Sequence, residues 1–192
     1  MRDDFGRRGR HIHGVRLHYS TDMMVSPAEQ LVHPVARALD VAGRCLDPRA
    51  HLVAVDSALH QGLVRPDELA AFTVTSRERR NWLLAHADAR SEAVGETLAR
   101  LDVVERGLAV YPQRFVKGAG RIDLVVANSV AVEIDGRTFH DDPESFRRDR
   151  RRDRKVVVAG MPVLRFAHSE LLGADAVHVG DAVLDLMRTM GD

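Results

Sequence analysis

Cysteine is almost missing from this chain of 192 residues, in which Cys45 is the only one. A single cysteine excludes an internal disulfide framework and a cysteine-rich zinc site, and it favours a reducing compartment. Long apolar runs are missing as well, because no stretch approaches the roughly 18 apolar residues of a membrane-spanning helix. A secretory signal requires an apolar stretch after its charged N-terminus, and no such stretch follows here. We therefore expect a cytoplasmic protein that has no membrane partner.

The chain also lacks net charge, since 28 basic side chains balance 28 acidic ones, and 45% of the residues are hydrophobic. This composition excludes disorder over the whole chain. Lysine is scarce: Lys117 and Lys155 are the only two, so 26 of the 28 basic residues are arginine. Arginine binds phosphate groups with a bidentate fork, although a GC-rich genome would give the same ratio. Because arginines cluster in residues 1–18 and 147–155, nucleic acid is a candidate partner.

Hydrophobic periodicity divides the chain into a basic arm (1–25), a helical region (26–88) and a region of strands and helices (89–192). Ser26-Pro27 is typical of a helix start, and the apolar stripe that follows runs through Leu31, Val35 and Leu39. The same spacing predicts further helices near Ala50–Leu63, from Pro66, over Ser76–His86 and over Ser91–Arg106.

After Gly107 the pattern changes from helical to alternating, which is typical of strands. Strands are predicted over Val110–Val116, Arg121–Ala127, Val130–Asp135 and Met161–Phe166, with a hairpin turn at Asn128-Ser129. Helices are predicted from Pro143 to about Ala159, over Ser169–Leu172 and over Ala176–Met190. The expected fold is therefore α/β (α+β): a helical N-terminal region followed by a mixed four-stranded sheet flanked by helices.

Three carboxylates interrupt the second and third predicted strands. Asp123 lies in the second strand, and Glu133 and Asp135 lie two residues apart in the third, so strand alternation places these two on one face. The hairpin would bring Asp123 near Glu133. Carboxylates in an apolar sheet are costly unless a partner compensates them, and a hard divalent cation does so with oxygen ligands. A solvated sheet edge or an arginine partner is the alternative interpretation.

A longer set of residues surrounds these acids between about Ser91 and Leu172. It comprises Glu96 and Arg100 on a helix, Gln113, Arg121-Ile122-Asp123, Val132–Gly136, His140, Phe146, Arg148-Asp149, Arg152-Asp153, Gly160 and Val163–Phe166. In residue types and spacing, this set resembles the PD-(D/E)XK restriction-endonuclease-like superfamily. It is most similar to the very-short-patch-repair (Vsr-like) endonuclease domain of actinobacterial proteins.

The resemblance implies that Asp123 and Glu133 bind Mg²⁺ or Mn²⁺ and that Glu96 completes the metal site. The chain departs from many of these nucleases at Asp135, where they carry a lysine. Asp135 can ligate metal or act as a base, but it cannot stabilise negative charge as lysine does. His140 is the candidate substitute for proton transfer, because the unperturbed imidazole pKa lies near 6.5. The alternative for His140 is a partner of Asp149 or Asp153.

Arginines supply the predicted nucleic-acid contacts. Arg148 and Arg152 stand four residues apart on the predicted helix, with Arg151 on a neighbouring stripe, and Arg121 precedes the second-strand acid. A solvated helix laced with ion pairs would give the same pattern.

The resulting hypothesis is a Mg²⁺-dependent DNA endonuclease in DNA repair, restriction or phage defence, with Asp123, Glu133, Asp135 and His140 as catalytic residues. The alternative is a non-catalytic DNA-binding or antitoxin-like regulatory protein that keeps the nuclease fold, with a protein partner bound through residues 26–88. A homodimer is a further possibility.

Overall fold

The computed structural model describes residues 33–135, 160–173 and 175–191. The predicted basic arm and the predicted helix from Pro143 to Ala159 lie outside these ranges. So do four predicted site residues, His140, Arg148, Arg151 and Arg152. Helices and a four-stranded mixed sheet make up the described part, so the predicted α+β class is confirmed.

Four helices form the first described region: α1 (Val35–Ala42), α2 (Pro48–His60), α3 (Pro66–Ala70) and α4 (Arg77–His86). Their starts follow from capping. The Asp47 carboxylate accepts a hydrogen bond from the Ala50 N–H (3.0 Å), and the Ser76 hydroxyl accepts one from the Arg79 N–H (3.2 Å). These caps satisfy N–H groups that have no partner within the helix. Buried aliphatic side chains, among them Leu52, Leu69 and Leu83, form the core of this region.

The continuous helix that was predicted from Ser26 through Leu39 is wrong in its described part. His33 and Pro34 are not helical, and α1 begins only at Val35, with Pro34 as its N-cap at ψ 141°. The proline ring restricts the residue before it to extended conformations, so a helix cannot run smoothly through this position. The apolar spacing extends across Pro34, but the helical backbone begins only after it.

A long central helix, α5 (Val94–Glu105), joins the helical region to the sheet. Leu101 belongs to the core of the helical region, whereas Ala99 and Val103 pack against the sheet. The helix starts three residues later than predicted, because Ala93 is extended at φ −139° and ψ 157°. Gly107 follows the end of the helix with φ +75°, the left-handed conformation that glycine adopts at little cost.

The sheet has the order β1-β2-β3-β4, with β1 (Val110–Val116), β2 (Gly120–Val126), β3 (Val130–Asp135) and β4 (Val163–Ala167). The pairs β1–β2 and β2–β3 are antiparallel, and β3–β4 is parallel. One face packs against α5 and the C-terminal helix α6 (Val179–Gly191) through a buried cluster that includes the following side chains: Leu124, Val126, Val130, Val132 and Phe166.

The β2–β3 hairpin turns one residue earlier than predicted. Ala127 and Asn128 have φ +49° and +58°, and the Ser129 N–H donates to the Val126 carbonyl (3.0 Å). Two consecutive positive φ angles define a type I′ turn, whose twist matches that of the flanking strands. Asparagine tolerates this conformation readily, so Asn128 correctly indicated a turn. The prediction placed Asn128 first in the turn, whereas it is the second of the two turn residues.

The C-terminal segment closes the described fold. A short 3₁₀ helix (His168–Leu171) follows β4, and the buried carboxylate of Asp102 accepts a hydrogen bond from the Gly180 N–H (2.8 Å) at the start of α6. This contact ties α6 to α5. Within the described ranges, no helix combines the length and the apolar character needed to cross a membrane.

Candidate active site

Asp123 lies where the pairing between β2 and β3 ends. The two strands pair from Val126↔Val130 to Leu124↔Val132, so the next residues in register are Asp123 and Glu133. At this point Asp123 Oδ2 accepts a hydrogen bond from the Ile134 N–H (2.9 Å). The side chain thus takes the place of a backbone acceptor, and its carboxylate is held at the seam between the two strands.

Glu133 and Asp135 differ in their exposure. Glu133 is only 5% exposed and stands opposite Arg165 in the parallel β3–β4 pair, whereas Asp135 is exposed at the end of β3. Val132 and Ile134 pack in the cluster that faces α5 and α6, so Glu133 and Asp135 alternate with side chains that point into that core.

Glu96 reaches the same region from α5. Its side chain is buried, and its Oε2 accepts two hydrogen bonds, from the Glu92 N–H (2.9 Å) and from Gln113 Nε2 (2.8 Å). Burial raises the pKa of Glu96, the two hydrogen bonds lower it, and the negative charges of Asp123 and Glu92 raise it again, so the pKa lies above its ordinary value. The charge of Asp123 is therefore close enough to Glu96 to oppose its ionisation.

Gln113 on β1 connects these acids, although the sequence assigned it no role of its own. Residues pair as Pro112↔Leu124 and again as Arg114↔Ile122, so Gln113 stands opposite Asp123 at a break in the ladder. Gln113 also has φ +52°, which is uncommon for a residue other than glycine. The signal in the sequence was the place of Gln113 in the set of residues that carries the family resemblance.

Gly95 allows α5 to approach the sheet at this site. A Cβ at this position would lie 2.8 Å from Ile134 Cγ2 and 3.0 Å from His168 Nδ1, and real Cβ atoms essentially never show contacts below 3.0 Å. Glycine therefore brings the helix close to β3 at the residue next to Glu96. The sequence contained this glycine, but only the packed structure shows what it contacts.

Arg121 is the predicted nucleic-acid contact that lies within the described residues. Its side chain is 59% exposed, and its guanidinium pairs with the Glu92 carboxylate at 2.7 Å. Glu92 also donates its N–H to Glu96, so Arg121 stands at the edge of the acid cluster. An exposed guanidinium beside the cluster is in a position to contact a phosphate group.

The predicted metal set is Glu96, Asp123 and Glu133. Among the described residues, no group of three or more His, Cys, Asp and Glu side chains comes together closely enough to hold a metal ion. The structure does link Glu96 to Asp123 through the electrostatic effect on its pKa, and Asp123 to Glu133 through the strand register.

Comparison of the chain with protein-family models, with curated proteins and with solved structures gives no match.

Proposed function

We propose that this chain is a divalent-metal-dependent DNA endonuclease of the PD-(D/E)XK, Vsr-like type, which hydrolyses phosphodiester bonds in repair, restriction or phage defence. One observation supports this above all. Asp123 is fixed by the Ile134 N–H at the β2–β3 seam, in register with the buried Glu133 and within electrostatic reach of the buried Glu96. Acidic groups that burial and neighbouring charges perturb are common at functional sites, and the raised pKa of Glu96 beside Asp123 is such a case.

The donor set suits Mg²⁺ or Mn²⁺. Glu96, Asp123 and Glu133 offer only hard oxygen atoms, which these ions prefer. The pKa of Glu96 is raised in part by the charge of Asp123, so a cation bound between them would relieve the cost of ionising Glu96. Such an ion, when bound, lowers the pKa of water toward neutrality and polarises a phosphoryl oxygen.

The residues of the chain have distinct roles in this proposal. Asp123 and Glu133 would hold the cation, and Glu96 would support it from α5. Asp135 is exposed on the strand that carries Glu133 and would accept a proton from the attacking water. Arg121, which is also exposed, would orient the phosphate of the DNA strand. The proposed proton carrier His140 and the proposed phosphate contacts Arg148, Arg151 and Arg152 lie outside the described residues.

A second candidate function is a non-catalytic DNA-binding or antitoxin-like regulatory protein that keeps the nuclease fold. Asp135 favours it, because an aspartate cannot supply the positive charge that lysine contributes in many superfamily nucleases. The lack of a three-residue metal group among the described His, Cys, Asp and Glu side chains favours it as well.

Cleavage of supercoiled, linear and mismatched DNA in Mg²⁺, in Mn²⁺ and in EDTA tests the proposal. We expect metal-dependent cutting that Asp123→Ala reduces at least about 100-fold, the usual scale for a group that acts in the transition state. Asp185→Ala is the matched control, because Asp185 is 70% exposed on α6. Asp135→Asn should lower the rate about 10²- to 10⁴-fold if Asp135 takes the proton. DNA that is bound but never cut would favour the regulatory protein.

A further inference from the structure

Gln113 has a backbone conformation that the sheet alone does not require. It lies in β1 with φ +52°, opposite Asp123, at the position where the β1–β2 ladder is interrupted. A left-handed backbone conformation costs free energy in residues other than glycine. Residues with this conformation persist where surrounding contacts hold them, often at functional sites. The turn of the backbone brings the Gln113 amide to Glu96.

The contact with Glu96 fixes the orientation of that amide. Gln113 Nε2 donates a hydrogen bond to Glu96 Oε2 (2.8 Å), so the amide nitrogen faces the glutamate. The amide oxygen therefore points away from this bond. Gln113 Oε1 is buried and receives no hydrogen bond from any residue that the structure describes.

Glu96 and Asp123 each have a second carboxylate oxygen, but of these three oxygens only Gln113 Oε1 is both enclosed and without a donor among the described residues. Glu96 takes both of its hydrogen bonds on Oε2, and Asp123 takes its hydrogen bond on Oδ2. No described residue donates to Glu96 Oε1 or to Asp123 Oδ1, and Gln113 is placed between these acids by its hydrogen bond to Glu96 and its position opposite Asp123. A buried acceptor without a donor is costly, and three hard oxygens from two acids and one amide form a ligand set that Mg²⁺ and Ca²⁺ accept.

We propose that Gln113 Oε1 is a ligand of a divalent cation that Glu96 and Asp123 bind with their remaining oxygens. This inference rests on the proposed metal-dependent function and adds a ligand from β1 to its site. The amide oxygen would be the third protein ligand, because no three His, Cys, Asp and Glu side chains of the described residues come together closely enough to hold an ion.

Metal binding by the full chain tests this ligand without any measurement of activity. Tb³⁺ luminescence reports the affinity and, from lifetimes in H₂O and D₂O, the number of coordinated waters, while competition with Mg²⁺ and Mn²⁺ reports their affinities. Gln113→Met keeps the length of the side chain but removes the oxygen. Gln113→Gly removes it as well and suits a positive φ, so this variant should fold even if the first does not. Gln113→Glu keeps an oxygen ligand.

We expect Gln113→Met and Gln113→Gly to weaken cation binding about 10- to 100-fold and to admit about one more water to Tb³⁺, whereas Gln113→Glu retains the affinity. Binding within twofold of wild type in the Met and Gly variants, with an unchanged water count, would overturn this inference and leave the proposed function intact. Equal weakening in all three variants would also overturn it, because Gln113 would then act only as a donor to Glu96. A wild-type chain that binds no cation would instead remove the proposed function.

Discussion

The buried ion pair between Asp56 on α2 and Arg100 on α5 provides a quantitative test of how the helical region is attached to the sheet. Arg100 Nη2 lies 2.7 Å from Asp56 Oδ2, and the two side chains are 6% and 1% exposed. Asp56 also accepts hydrogen bonds from the Asp88 N–H (2.8 Å) and from Thr97 Oγ1 (2.9 Å). Burial raises the pKa of Asp56, although the charge of Arg100 and these hydrogen bonds act in the opposite direction.

Arg100→Met would remove the cation and keep most of the volume of the side chain. Breaking one side of a buried pair costs about 3–5 kcal/mol, because the remaining charge is left uncompensated. This is a large part of the roughly 5–15 kcal/mol that stabilises an average domain. At about 2–4 °C per kcal/mol for a chain of this size, the midpoint of thermal unfolding should fall by about 6–20 °C. The double variant Asp56→Asn with Arg100→Met should cost clearly less than the sum of the single changes.

Denaturant unfolding, followed by the fluorescence of Trp82 and by circular dichroism, measures these free energies of unfolding. Trp82 is the only tryptophan and packs against the core of the helical region, so it reports on that region directly. Arg188→Met is the matched control, because the Arg188–Asp185 pair is 73% and 70% exposed and should contribute less than about 1 kcal/mol. If Arg100→Met lowers the free energy of unfolding no more than this control does, the ion pair does not stabilise the contact between α2 and α5, and the prediction is wrong.

Two further predictions concern Asp40 and Gly95. Burial raises the pKa of Asp40, but hydrogen bonds from the Thr75, Thr73 and Val74 N–H groups outweigh it and the net shift is downward. The stability that this carboxylate contributes is therefore present above the unfolded pKa and is lost as the pH falls below about 4. Asp40→Asn should flatten the acid side of the curve of unfolding free energy measured from about pH 3 to 7. An acid slope identical to that of the wild type would contradict this prediction. Gly95→Ala should lower the free energy of unfolding by about 1–3 kcal/mol through overpacking and weaken cation binding, whereas Gly191→Ala, with open space around it, should change neither.

The strands could be predicted well because alternation is a local property of the sequence. The predicted bounds of Val110–Val116 and Val130–Asp135 coincide with β1 and β3, and β2 is displaced by one residue. The fourth strand was predicted over Met161–Phe166, but β4 begins two residues later and ends one residue later. The errors arose where a single residue overrides the pattern. Pro34 is the N-cap of α1, so the helix begins only at Val35 although the apolar stripe extends across the proline.

The acids of the site could also be found in the sequence, but the contacts that connect them could not. Asp123 and Glu133 stand out as charges within apolar strands, and hairpin pairing predicts that they face each other. The hydrogen bond between Gln113 and Glu96 joins residues 17 apart on different elements, and it depends on a positive φ that no local preference of glutamine predicts. The close approach at Gly95 depends in the same way on the packing of α5 against β3.

The charge balance of the site separates the two candidate functions. Among the described residues, the negative charges of Asp123 and Glu92 act on Glu96. Glu133 follows in register with Asp123 and stands opposite Arg165, and Arg121 pairs with Glu92. A DNA phosphate that enters this site meets carboxylate charges, which repel it unless a cation is present. An active nuclease should therefore bind DNA at this site more tightly in Ca²⁺ or Mg²⁺ than in EDTA, and Asp123→Ala should remove that difference. A regulatory protein that binds DNA elsewhere on its surface should show equal affinity with and without the cation, so DNA affinity in Ca²⁺ and in EDTA distinguishes the two functions even in a protein that cuts nothing.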